Sequence, residues 1–138
     1  MDNNSVFIEK LRSSGLRPTK QRLEICKLLF DRKKTFHFTI SDLSKILIKE
    51  TDEKISLATI YNTVHYFKKN GYLKEILINS EKSYFDTNTS NHHHFLDVTT
   101  NELIDLKKDD VDKIKIKKNL PGKKIKSVEV LVKIENSN

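Results

Sequence analysis

The 138-residue sequence holds one cysteine, two prolines, three glycines and no tryptophan. The lone Cys26 can form neither an internal disulfide nor a cysteine-rich zinc site. That excludes secreted disulfide scaffolds and cysteine zinc fingers. No run of 18 apolar residues occurs, so no membrane-spanning helix and no membrane partner are expected. The opening MDNNSVFIEK has no apolar stretch of the signal-peptide kind. Together these absences point to a reducing, cytoplasmic setting. Hydrophobic residues make up 36% and charged residues 33%, a balance that suits a folded soluble chain of one domain or two small ones.

What the sequence has in excess is positive charge. Lys plus Arg number 26 against 19 Asp plus Glu, a formal net charge of +7. Residues 10–34 hold nine of the basic residues and only two acids, Glu24 and Asp31. Such a block attracts polyanions, nucleic acid first and a membrane surface second. The plainer reading is a solvated helix face.

Sparse punctuation makes the order of elements readable. Residues 4–14 read as a short helix closed by Gly15, and Pro18-Thr19 opens a second helix reaching Phe30. Thr39 is placed to cap a third helix, with Leu43, Ile46 and Leu47 inward. Ser56 caps a fourth that runs to Asn70, with Gly71 just beyond. Leu57, Ile60, Val64 and Phe67 fall on one face of it. Two strands, 72–78 and 83–87, flank the turn Asn79-Ser80-Glu81-Lys82. Three helices, a polar turn, one more helix and a hairpin is the order of a winged helix-turn-helix. Strands are expected next at 93–99, 102–106 and 125–135. Residues 109–118 are ambiguous between strand and short helix, with the helix favoured. The fold class is therefore α+β: a winged helix-turn-helix domain over 1–88, then a small α/β domain over 89–138.

In a winged helix-turn-helix the fourth helix would enter the major groove. Asn62 can pair bidentately with adenine, and the methyl groups of Ala58 and Thr59 can meet thymine methyls. Tyr61 stands at the border of the apolar face. Arg17, Lys20 and Arg22, at the start of the second helix, and Lys82, on the wing, are candidates for phosphate. Each has a bland alternative as a solvated surface residue. Cys26, among Ile25, Leu28 and Leu29, reads as core.

The stretch from Phe85 to His94, FDTNTSNHHH, holds three of the five histidines. On a strand, His92 and His94 share a face and His93 points away. A His-x-His pair makes a two-point chelate. Asp86 and Asp105 can add oxygens, and His37 can close the site. Imidazole and carboxylate without thiolate suit Fe(II), Mn(II) or Zn(II).

Four stretches together, LRSSGLRPTKQRLEI, HFTISDL, ISLATIYNTVHYFKKNGYLKE and SYFDTNTSNHHHF, resemble the ferric uptake regulator superfamily over residues 8–106. Within it they most resemble the iron response regulator branch. The resemblance implies a homodimer on an inverted-repeat, AT-rich double-stranded operator, with the C-terminal half as the dimerisation and sensing domain. It places regulatory metal ligands at His37, Asp86, His92, His94 and Asp105, and a base-contacting tyrosine at Tyr61. It also associates His92, His93 and His94 with haem. Most relatives carry a structural zinc on two Cys-x-x-Cys pairs. Here Asp97 and Thr100 stand where the first would be, so no structural four-cysteine zinc is expected.

The function expected is an iron- or haem-responsive transcriptional regulator of iron uptake and haem metabolism, not an enzyme. Two alternatives stand beside it. One is a metal-dependent hydrolase or nuclease built on the His/Asp cluster. The other is a winged-helix regulator whose metal site is purely structural.

Overall fold

Helix ends in this chain are set by local hydrogen bonding that its side chains dictate. A computed structural model describes residues 3–51 and 53–138. Helix α1 (Asn3–Ser13) stops where Gly15 takes φ +83°. The Gly15 amide then bonds the Arg12 carbonyl at 2.9 Å and the Leu16 amide bonds the Leu11 carbonyl at 2.9 Å. That paired closure needs a left-handed residue, which glycine adopts without cost from a Cβ. Helix α4 (Leu57–Lys69) ends the same way at Gly71, with the Tyr72 amide on the Phe67 carbonyl at 2.9 Å. The rings of Phe67 and Tyr72 meet edge-on across that turn at 6.2 Å.

Helix starts are equally explicit. Helix α2 (Lys20–Phe30) is capped by Thr19, whose hydroxyl accepts from the Arg22 amide at 3.3 Å. Before α3 (Ile40–Thr51), Thr39 and Asp42 cap each other. The Thr39 hydroxyl accepts from the Asp42 amide at 3.0 Å, and the Asp42 carboxylate accepts from the Thr39 amide at 3.3 Å. Ser56 caps α4 by accepting from the Thr59 amide at 3.1 Å.

The chain divides into two compact units, the first ending at Thr89 and the second running Ser90–Asn138. The first holds α1 to α4 and a three-stranded antiparallel sheet. Its strands are β1 (His37–Phe38), β2 (Lys74–Leu77) and β3 (Ser83–Asp86), in the order β1-β3-β2. Leu11, Ile25, Leu29, Phe38, Leu43, Leu47, Ile60, Val64 and Phe67 are each at most 1% exposed and form one core. Cys26 lies fully buried among them, as its neighbours suggested. Burial pushes its thiol up to about 12, with nearby Lys10 opposing.

The second unit is a mixed sheet of β4 (His93–Asp97), β5 (Glu102–Leu106) and β6 (Leu131–Ile134). β4 is central, antiparallel to β5 and parallel to β6. The tight β4–β5 turn is held by Asp97, whose carboxylate accepts from the Thr99 and Thr100 amides at 2.9 and 3.2 Å. Residues 109–118 do not form the short helix favoured from sequence. A single 3-10 turn spans Lys108–Asp110, and the chain beyond is exposed and irregular. Val111 and Ile114 have helical spacing, but lysines at 113, 115, 117 and 118 leave only that pair for such a helix to bury. The last strand is shorter than 125–135, because only Leu131–Ile134 pairs with β4. Among the described residues, no helix is long and apolar enough to cross a membrane.

Candidate metal and DNA sites

In the first unit, β1 and β3 place His37 directly opposite Asp86. The His37 Nε2 lies 3.0 Å from the Asp86 Oδ2. The other Asp86 oxygen, Oδ1, accepts from the Asn88 amide at 2.8 Å. One residue further along each strand, Phe36 and Thr87 bond twice. The Phe36 amide donates to the Thr87 hydroxyl at 2.9 Å, and the Thr87 amide donates to the Phe36 carbonyl at 3.1 Å. These bonds lock the register that brings the imidazole and carboxylate together. The two-residue β1 had no signal in the sequence, so the means of presenting His37 was not foreseen.

In the second unit, β4 places His94 opposite Asp105 on β5. Asp105 Oδ1 lies 3.3 Å from the His94 Nε2 and 3.1 Å from the His92 Nε2. The two imidazole centroids are 4.4 Å apart, tilted by 57°. Donor atoms bound to one small divalent ion at about 2.0–2.2 Å stand about 3.0–3.5 Å from one another. In the second unit each of the two Nε2 atoms thus stands from the Asp105 oxygen at the spacing that ligands of one ion require. In the first unit the His37–Asp86 pair has that spacing too.

The protonation of His92 supports this reading. Its Nδ1 sits 2.7 Å from the Ser90 carbonyl oxygen, which only accepts. Nδ1 therefore carries the proton, and in the neutral ring Nε2 carries the lone pair. That lone pair faces a carboxylate oxygen. Two acceptors so placed require a cation between them, a proton or a metal ion.

His93 behaves differently. Its Nδ1 accepts from the Val130 amide at 3.0 Å, and the neighbouring His94 amide donates to the Val130 carbonyl at 3.1 Å. The three imidazoles of the triplet therefore do not converge. His93 fastens β4 to the chain that enters β6, so it leaves the haem-binding set expected from sequence. Strand alternation is the physical reason.

On the DNA side, α4 buries Ile60, Thr63, Val64 and Phe67. Its outer face exposes Ala58, Tyr61 and Asn62, with Thr59 partly covered. Tyr61 is 60% exposed, further out than a border position, and its ring lies parallel to His65 at 6.1 Å. Leu57 is not on the core face as expected but 59% exposed. Ile55, in the preceding loop, closes the core at that end. Lys68, near the end of α4, reaches Glu75 on β2 at 2.6 Å, tying the helix to the hairpin. Burial raises the Glu75 carboxyl, but the Lys68 and Ser83 hydrogen bonds together with the charges of Lys68 and His65 outweigh it and lower Glu75 from its ordinary value.

The basic block is less free than its count suggests. Lys20 pairs with Glu53 at 2.7 Å. Arg22 donates to the Arg17 carbonyl at 2.9 Å, bracing the loop before α2. Lys10 caps the Phe30 ring at 3.9 Å, and Arg32 caps Phe36 at 3.9 Å. Arg17 stays exposed. On the hairpin, Lys82 lies 5.3 Å over the Tyr84 ring.

Comparison with known proteins agrees with this geometry. The family model described as the Ferric uptake regulator family matches residues 13–134. The peroxide-responsive repressor PerR of Staphylococcus epidermidis (strain ATCC 12228 / FDA PCI 1200) is 33% identical over 107 residues. The match covers 78% of this chain and 69% of that protein. PerR of Staphylococcus aureus (strain Mu50 / ATCC 700699) is 35% identical over 98 residues, covering 71% of this chain and 64% of its own length. The chain thus spans about two thirds of these relatives. They carry a peroxide-responsive name, where the sequence pointed to the iron response branch.

Among solved structures, the Vibrio cholerae ferric uptake regulator shares the fold with a TM-score of 0.70 at 22% identity, covering 98% of this chain and 100% of that one. The Pseudomonas aeruginosa ferric uptake regulator with manganese gives 0.66 at 21%, covering 96% and 99%. The hydrolase alternative falls with these matches. The chain belongs to the Ferric uptake regulator family, metal-responsive DNA-binding transcriptional regulators that act on operator DNA as dimers and are not enzymes.

Proposed function

We propose that this chain is a homodimeric, iron-responsive repressor of the iron response branch, with residues 1–88 gripping DNA and residues 89–138 dimerising and sensing. The observation that carries the reading is the meeting of the His92 and His94 Nε2 atoms at Asp105 Oδ1, 3.1 and 3.3 Å away. His37 and Asp86 are the remaining ligands. Only residues 87–91 separate Asp86 from His92, a short tether between the two ligand groups. A set of imidazoles and carboxylates without thiolate suits Fe(II) or Mn(II), with Zn(II) a competitor. Bound there, a divalent ion supplies fixed coordination geometry and charge.

The chain's own groups do the rest. Ser90 fixes the tautomer of His92, and the β4–β5 register aims His94 at Asp105. Holding one ion with ligands from both units would restrict the pose of each DNA-binding unit in the dimer. Both half-sites must be engaged together, so such a restriction changes operator affinity by roughly 5–150-fold, typical of allosteric coupling. Ala58, Thr59, Tyr61 and Asn62 would read base edges, and Arg17, Lys20, Arg22 and Lys82 would meet phosphates.

Fluorescence anisotropy on an AT-rich inverted repeat tests this, with the apoprotein, with Mn(II) and with haem. Mn(II) should shift the apparent Kd at least fivefold, and His92→Ala/His94→Ala should abolish the shift while leaving the circular dichroism spectrum intact. A response to haem alone would make haem the effector through His92 and His94. Equal affinity under all three conditions contradicts the reading. The names of the relatives favour a second reading, a repressor that responds to peroxide. Hydrogen peroxide would then release DNA from the Fe(II)-loaded protein but not from the Mn(II)-loaded one.

A further inference from the structure

A second concentration of positive charge lies outside the DNA-binding unit. Between Asp112 and Glu129 the chain holds seven lysines and no acid. That excess equals the one in residues 10–34, so the rest of the chain is net negative. All seven lysines are exposed, and none of them forms an ion pair among the described residues. Lysines this dense repel one another and draw in counterions, a cost that a polyanion partner relieves.

The backbone reverses direction midway along this segment, between the two groups of lysines. Pro121 and Gly122 occupy the middle of a turn in which the Lys123 amide bonds the Leu120 carbonyl at 3.1 Å, and Gly122 takes φ +72°. Proline followed by a left-handed glycine is the signature of a type II turn, which reverses the chain. Lys113, Lys115 and Lys117 alternate with Ile114 and Ile116. Both sets are exposed.

We infer that this lysine ridge is a second, sequence-independent DNA contact that grips backbone phosphates beyond those reached by α4 and the wing. The inference rests on the DNA-binding reading above. DNA is favoured over other polyanions because the ridge is tethered to a unit that already holds duplex. Its local phosphate concentration is then high even where each contact is weak. Lysine ammonium groups neutralise phosphates as point charges and read no bases.

The test is a salt titration of the full-length protein on a 40-base-pair AT-rich duplex, followed by anisotropy. K113Q/K115Q/K117Q/K118Q and, separately, K123Q/K124Q/K126Q are compared with wild type. Each lysine that meets a phosphate contributes about 0.9 to the slope of log K against log salt. The quadruple variant should lower that slope by at least about 2 and weaken binding roughly tenfold near 0.1 M salt. The ratio of affinities for an inverted-repeat and a scrambled duplex should stay unchanged, since no base contact is lost. Sedimentation velocity should show the wild-type dimer. Wild-type slopes in both variants overturn the ridge while leaving DNA binding intact. Absence of duplex binding by wild type itself overturns both readings. A variant that binds DNA as wild type does but fails to dimerise assigns the segment to the protein interface and likewise overturns the ridge.

Discussion

The imidazole of His92 donates its Nδ1 proton to the carbonyl oxygen of Ser90 at 2.7 Å. In the neutral ring that bond leaves the lone pair on Nε2, 3.1 Å from the Asp105 carboxylate, where a cation between the two would satisfy both. Asp105→Asn keeps the size of the side chain and removes its charge. Competition against a chromophoric chelator should show Mn(II) and Zn(II) affinity falling at least 10-fold, since even outer-shell partners are worth about 10–100-fold. Wild-type affinity in this variant would remove Asp105 from the ligand set.

His93 should separate cleanly from its neighbours. His93→Ala leaves the Val130 amide without its acceptor, at a cost of about 1–3 kcal/mol in urea unfolding. Metal stoichiometry should remain that of wild type. A lost metal ion with unchanged stability would reverse the roles assigned here.

Cys26 should be inert in the native protein. Burial lifts its thiol from an ordinary 9.0 to about 12, so at pH 8 a disulfide reagent should react only after urea is added. The sign of the linkage follows. The folded state holds the thiol proton more tightly than the unfolded state. The stability associated with Cys26 is therefore fully present below about 9.0 and declines as pH rises toward about 12. Rapid labelling of native protein would contradict its placement in the core.

The exposed face of α4 makes a graded prediction. Tyr61→Ala or Asn62→Ala should weaken operator binding by about 1–3 kcal/mol per lost base contact and relax specificity. Arg17→Ala should weaken all duplexes alike and reduce the salt slope by about 0.9. Lys20→Ala should do less than Arg17→Ala, because the Lys20 ammonium already pairs with Glu53 at 2.7 Å. Anisotropy on operator and scrambled duplexes measures all four, and equal effects of Arg17→Ala and Lys20→Ala would show that the ion pair opens on DNA.

Much of the fold is legible in a few residues. Gly15 and Gly71 mark helix ends because only they take the left-handed turn cheaply, and Thr19, Thr39 and Ser56 mark starts through hydroxyls that accept amide protons. The spacing of His92 and His94 gives their shared direction. Other features depend on partners distant in sequence. β1 is only two residues long and exists because β3 pairs with it. Leu57 has the spacing of a core residue, yet it is exposed while Ile55, two residues earlier, is the one buried in the core. The role of His93 required knowing that Val130 returns beside β4. A charge count cannot show that Lys10, Lys20, Arg22 and Arg32 are engaged within the protein.

Metal held by the proposed His/Asp ligands should set the grip on DNA. The most direct measurement is the reciprocal one: Mn(II) affinity of the full-length dimer, free and saturated with an AT-rich inverted-repeat duplex, by calorimetry. Thermodynamic linkage requires duplex to shift Mn(II) affinity by the same factor that Mn(II) shifts duplex affinity. Equal shifts of at least fivefold are expected, lost together in His92→Ala/His94→Ala. Mn(II) affinity that is unchanged by saturating duplex would contradict that coupling.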